Sequence, residues 1–126
     1  MGEVFSVAII FIATNCLVER QIYKIVLKTN WKEAEKTGSI PFEEVDLKNR
    51  GVIHLVFWNQ IKDKVEKYYS GKEVVILEMD EDILNDYDFE LKVESDHPDG
   101  DLYPYLYHKR QPTLMPSDAV RHLILK

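Results

Sequence analysis

The sequence predicts a small α+β domain, and three observations carry that reading. Runs over residues 21–27, 51–57 and 73–79 are apolar and rich in β-branched side chains, as strands are. Two stretches between them, residues 31–37 and 59–69, repeat apolar positions at helical spacing and end at Gly38 and Gly71. The chain has 126 residues, 45% of them hydrophobic and 30% charged, enough to bury one core and too apolar for a disordered chain. A single domain is therefore expected over residues 21–126, after an apolar segment at 1–20.

That first segment is unusual because residues 4–18 carry no charge. It is shorter than the roughly 20 apolar residues a membrane helix needs, so no transmembrane span is expected. Glu3 stands where a signal peptide carries a basic residue, and residues 13–16 make a poor cleavage or lipidation site. The segment is read as an extra buried strand or an appended segment in a cytoplasmic protein, with a targeting segment as the alternative.

The elements follow in order. Residues 21–27 form a strand. Asn30 with Glu33 three residues later is a loose capping box, so a short helix begins at Trp31, with Trp31 and Ala34 turned inward. Residues 39–49, with Pro41 and the acids Glu43, Glu44 and Asp46, read as a connecting loop. The charge-free run 51–57 is the central buried strand, with His54 at its middle. An imidazole with such flanks is either a core group bonded to backbone or a group facing a cleft. In the helix 59–69, Ile61, Val65, Tyr68 and Tyr69 face inward, while Lys62, Asp63, Lys64, Glu66 and Lys67 form the wet side. Residues 73–79 are a second buried strand, and Asp80 starts a short turn of helix. Phe89, Leu91 and Val93 alternate with charges, a half-exposed strand. Residues 96–100 have turn chemistry. Residues 102–107 look extended, and Pro104 suggests an edge strand or an exit from the sheet. A last element runs from Asp118 to Leu125.

Several functions are excluded or disfavoured. A net charge of −6 argues against a general nucleic-acid surface. The lone Cys16 excludes an internal disulfide framework, and His54, His97, His108 and His122 show no metal-ligand spacing. Neither a phosphate loop nor a nucleophile elbow occurs. What remains is His54, and the cluster Tyr103, Tyr105, Tyr107 and His108 with Lys109 and Arg110. The cluster reads either as a stacking wall with two cations at a pocket mouth or as a tyrosine-rich edge strand with wet hydroxyls.

One ordered set of residues goes further. It comprises the segment 22–25, Trp31, Gly38, Asp46-Leu47, the segment 51–55, Gln60, Tyr69, the segment 77–80, Leu84, Glu94 and the segment 103–107. Together these resemble the domain of unknown function 952 family over about residues 21–121. The family's fold is similar to the ADP-ribosyltransferase superfamily. The resemblance implies mostly antiparallel split β-sheets, two or three short helices, and a cleft able to grip nicotinamide adenine dinucleotide (NAD) or another nucleotide. By that likeness Lys24 and His54 line the cleft from central strands, and Tyr103, Tyr105 and Tyr107 form its wall. His54 and Glu94 would be catalytic, Glu94 stabilising an oxocarbenium-like sugar as nicotinamide leaves. The family usually has Ser where this chain has Val56, and Phe-Pro-His where this chain has Tyr103-Pro104-Tyr105. Those departures support an alternative, a non-catalytic binding or interaction module on the same fold. Cofactor, partner and oligomeric state are otherwise open.

Overall fold

Strand β1 (Ile22–Leu27) forms the middle of the main sheet in the computed structural model, which describes residues 21–95 and 100–125. The expectations for residues 1–20 and for most of the turn at 96–100 lie outside the described residues. After β1 come α1 (Lys28–Thr37), β2 (Ser39–Ile40), α2 (Glu44–Lys48), β3 (Ile53–His54) and β4 (Val56–Phe57). A 3-10 turn at Trp58–Gln60 leads into α3 (Ile61–Tyr68), then β5 (Val74–Met79), α4 (Glu81–Asp86), β6 (Phe89–Glu94) and β7 (Tyr103–His108). The chain closes with β8 (Met115–Pro116), a second 3-10 turn and β9 (Val120–Leu125).

Among the described residues all strand pairings are antiparallel, and they form three sheets in the orders β4-β1-β5-β9, β3-β7-β6 and β2-β8. The fold is thus α+β as expected. Among the described residues it has four α-helices rather than two or three, because the acidic loop at 39–49 contains α2. The Glu43 N–H donates to Asp46 Oδ2 at 2.9 Å, tying the first turn of that helix to its own entry residue. None of the described helices is long and apolar enough to cross a membrane.

The central sheet is covered on both faces. Ile22, Val26, Val75, Leu77 and Met79 face a core shared with Ala34, Leu84, Ile53, Phe89 and Leu106. The opposite side chains, Tyr23, Ile25, Val74 and Ile76, pack with Val56 and with Ile61 of α3. Double burial explains why β1 and β5 read as near-continuous apolar runs.

Two strands depart from the sequence expectation. The run 51–57 is not one strand: β3 pairs with β7 in one sheet, and β4 pairs with β1 in the other. Leu55, fully buried, carries the chain across the split. The segment around Pro104 is not at an edge either, since β7 is the middle strand between β3 and β6. The proline is tolerated because Leu55 N–H donates to the Pro104 carbonyl at 3.0 Å, so the missing N–H also points to that side. There the ladder is ending as the chain turns toward β4, and no further backbone pair is lost.

Gly51 makes the turn into β3 possible. It has φ 83°, and a Cβ there would stand 2.5 Å from Pro112 Cβ. Gly38 has the same φ, but its Cβ position is open. Left-handed backbone costs a non-glycine residue about 1–2 kcal/mol, and the Pro112 overlap adds about 1–3 kcal/mol. Denaturant unfolding should therefore find Gly51→Ala less stable than Gly38→Ala by at least ~1 kcal/mol. Equal losses would show that the Pro112 contact yields freely.

Candidate functional site

The split between the sheets is filled by two buried charges. Lys24 and Asp46 are 2% and 0% exposed. Lys24 Nζ donates to both Asp46 oxygens, at 2.9 and 2.8 Å, and to the His54 carbonyl at 2.9 Å. Asp46 Oδ1 in turn accepts the His54 N–H at 2.8 Å. Within an antiparallel ladder, the N–H and C=O of one residue point the same way. Those of His54 point away from β7, where no strand stands, and the ion pair supplies the acceptor and the donor instead. Burial pushes the Asp46 carboxyl up, but the Lys24 charge and the hydrogen bonds from His54 and Lys24 outweigh it and hold the group below the usual carboxylate range.

With its backbone fixed, the His54 ring has little freedom. Its Nδ1 lies 3.1 Å from the Val52 carbonyl. A carbonyl can only accept, so this bond puts the proton on Nδ1 and leaves Nε2 of the neutral ring as an acceptor. The same Nδ1 is 3.7 Å from Asp46 Oδ1, an electrostatic contact rather than a hydrogen bond. His54 and Tyr105 stand opposite each other across the β3–β7 ladder, and their rings meet edge to face with centres 4.7 Å apart.

A second buried acid joins three further segments. Glu43 Oε2 accepts from Leu27 N–H and Asn30 Nδ2 at 3.1 and 2.7 Å, and Oε1 accepts the Tyr69 hydroxyl at 3.1 Å. Burial, followed by the Glu43 charge and this hydrogen bond, raises the Tyr69 phenol far above its ordinary value.

These groups border a cavity of about 430 Å³, within the range of about 300–1,000 Å³ common for small-molecule sites. His54, Leu55 and Val56 line it together with four tyrosines, Tyr68, Tyr69, Tyr103 and Tyr105. Lys48, Lys64 and Lys72 also border it. Among the described residues, no group of three acids, histidines or cysteines is placed to hold a metal.

The cavity brings together Lys24, His54, Tyr103 and Tyr105 of the residues singled out in the sequence. Lys24 stands there as a positioning residue, its ammonium engaged by Asp46 and the His54 carbonyl. Tyr107 and Glu94 do not line the cavity. Both are on the three-stranded sheet, where the Tyr107 hydroxyl donates to Glu94 Oε1, and Glu94 sits on the outer strand β6. Nor do Lys109 and Arg110 reach the mouth: Arg110 pairs with Asp88 at 3.2 Å, and the His108 ring packs on Phe89. Tyr69 faces inward as its helical spacing predicts, whereas Tyr68 is exposed. The buried roles of Asp46 and Glu43, and the place of Lys64 at the cavity rather than on a wet helix face, are not visible residue by residue. The spacing of Glu43 and Asp46, three apart before Leu47, was the available signal for the buried acids.

Replacing Lys24 by Met strands the Asp46 carboxylate and should cost about 3–5 kcal/mol at neutral pH. The Asp46 carboxyl of the intact protein titrates lower when folded than its unfolded value of about 3.9. Its contribution is therefore complete above that value and fades as pH falls through the folded pKa. In Lys24→Met burial of the unpaired carboxyl shifts it up instead. The deficit relative to wild type should therefore shrink as pH falls through that raised pKa and on through the lowered one of the wild type. Melting curves across that window test this, and a deficit that stays constant would contradict the assignment.

Comparison with known proteins gives a family and a solved relative. The family described as "Protein of unknown function (DUF952)" matches residues 25–122. The crystal structure of protein CC0527 from Caulobacter crescentus is similar, with 27% identity and a TM-score of 0.67 over 83% of this chain and 84% of that one. A double mutant of the same Caulobacter protein matches with 25% identity, a TM-score of 0.67 and the same coverage. None of the curated proteins matches the chain. With most of its length matched, from the middle of β1 to β9, the chain belongs to the DUF952 family of proteins of unknown function.

Proposed function

We propose that this protein binds a small anionic ligand of the nucleotide class, with NAD the leading candidate, in the cleft around His54. The fold would then be of the ADP-ribosyltransferase-like kind that the sequence resemblance implies. The observation that carries the reading is the His54 ring. Pinned through Nδ1 and backed by Tyr105, it borders an aromatic-walled cavity and has no partner for Nε2 among the described residues. Such a nitrogen suits a ribose hydroxyl or an amide N–H, and tyrosine faces suit a planar ring. The lysines around the opening suit phosphate. At about 430 Å³ the cavity has room for a mononucleotide, so a dinucleotide would continue outward past those lysines.

Binding without group transfer is the better supported form of this reading. The acid that the transferase likeness calls for, Glu94, is occupied by Tyr107 outside the cavity. The two buried acids near it, Glu43 and Asp46, have their oxygens taken by Leu27, Asn30, Tyr69, Lys24 and backbone N–H groups. None of the three is placed to meet a sugar cation.

Melting in millimolar NAD and in ADP-ribose tests the proposal. The wild type should gain several degrees with at least one of them, because a ligand that binds only the folded state raises its stability. His54→Ala should lose that gain while remaining folded without ligand. Flat melting curves for every nucleotide tried would leave the cavity without this function.

A further inference from the structure

The geometry points to Lys64 as the phosphate anchor of this cleft, so that a ligand lies with its anionic end on α3 and its hydrogen-bond donor end at His54. The assignment rests on the nucleotide reading above and adds an orientation to it. Lys64 Nζ sits 4.3 Å from the centre of the Tyr103 ring and 5.0 Å from that of Tyr68, and all three residues line the cavity. Ring faces attract an ammonium without neutralising it, so the full charge remains available to an anion. Among the described residues no carboxylate stands within ion-pair distance of Lys64.

The other charges around the cavity differ from it. Lys24 is committed to Asp46 and to the His54 carbonyl. Lys48 is highly exposed and shares a 3.7 Å contact with Glu44, and Lys72 is also exposed. Lys64 is only half exposed, which reduces the solvent screening of any charge it meets. Of the acids, Glu43 is saturated by three donors, and Glu44 lies beside Lys48. Among the described residues, the cleft of this acidic protein therefore has a positive end at Lys64 with no carboxylate paired to it.

Spacing fixes the orientation. Tyr103 and Tyr105 are two apart on β7 and share a face, about 7 Å from each other along the strand. Tyr105 carries His54, and Tyr103 carries Lys64. That separation is comparable to the span from the hydroxyl edge of a ribose to its 5′-phosphate. The two tyrosines thus set Lys64 and His54 at successive positions along one face of β7, the order in which the proposed ligand would meet them.

Equilibrium titration with AMP, adenosine, ADP-ribose and NAD tests the anchor. The wild type should prefer AMP to adenosine by roughly tenfold at low salt, and the preference should shrink as salt rises. Lys64→Met keeps the aliphatic stem on the rings and should bind the two nearly equally, whereas Lys64→Arg should restore the preference. Unchanged melting of both variants without ligand separates this effect from misfolding. An undiminished preference in Lys64→Met overturns the anchor while leaving the nucleotide reading intact. Absence of binding by AMP, adenosine, ADP-ribose and NAD alike removes both.

Discussion

A buried ion pair does the work of a missing strand in this protein. Where β3 and β1 diverge, the His54 N–H and C=O face an interior with no backbone to receive them, and Asp46 and Lys24 take that place. Burying two charges is expensive, and Coulomb attraction alone often fails to offset the loss of water. The arrangement holds because every charged atom has several partners. Lys24 uses its ammonium on two carboxylate oxygens and a carbonyl, while Asp46 collects two backbone N–H groups as well as the ammonium. One interaction thus closes the split between sheets, fixes the residue that borders the cavity and anchors the first turn of α2.

Glu43 extends the same logic to the neighbouring elements. Through one carboxylate it joins the end of β1, the start of α1 and Tyr69 at the end of α3. Both buried acids are therefore consumed by structure. Four tyrosines and the lysines Lys48, Lys64 and Lys72 are left to border the cavity, in a chain whose net charge is −6. The character of the cavity is set by which charges the fold has already used.

Much of the fold was legible because it follows from burial. β1 and β5 were visible as apolar runs, α1 and α3 as helical spacings with glycine stops, and β6 as alternation, with Asp80 as a helix cap whose side chain accepts from Ile83 N–H. His54 was legible as an imidazole with apolar neighbours. What could not be read was pairing. Nothing local distinguishes a seven-residue strand from two dipeptide strands in different sheets, because the break at Leu55 is set by partners on β1 and β7. Pro104 misled for a related reason, since its missing donor removes only the last bond of a ladder that ends there. Asp46 and Glu43 looked like solvated loop acids because their partners, Lys24, Leu27, Asn30, His54 and Tyr69, are dispersed along the chain. Lys64 looked like wet helix surface because Tyr103, the ring beneath it, comes from a distant strand.

That dispersal has a kinetic meaning. The Lys24–Asp46, Glu43–Tyr69 and Lys24–His54 bonds join residues 22, 26 and 30 apart. Loops of that length must close before any of these bonds forms, and the entropy of closure is lost ahead of the gain. Helices α1 and α3 can flicker into existence alone, but the cleft has no counterpart in a partly assembled chain. The cleft exists only while those long-range bonds hold the two sheets together.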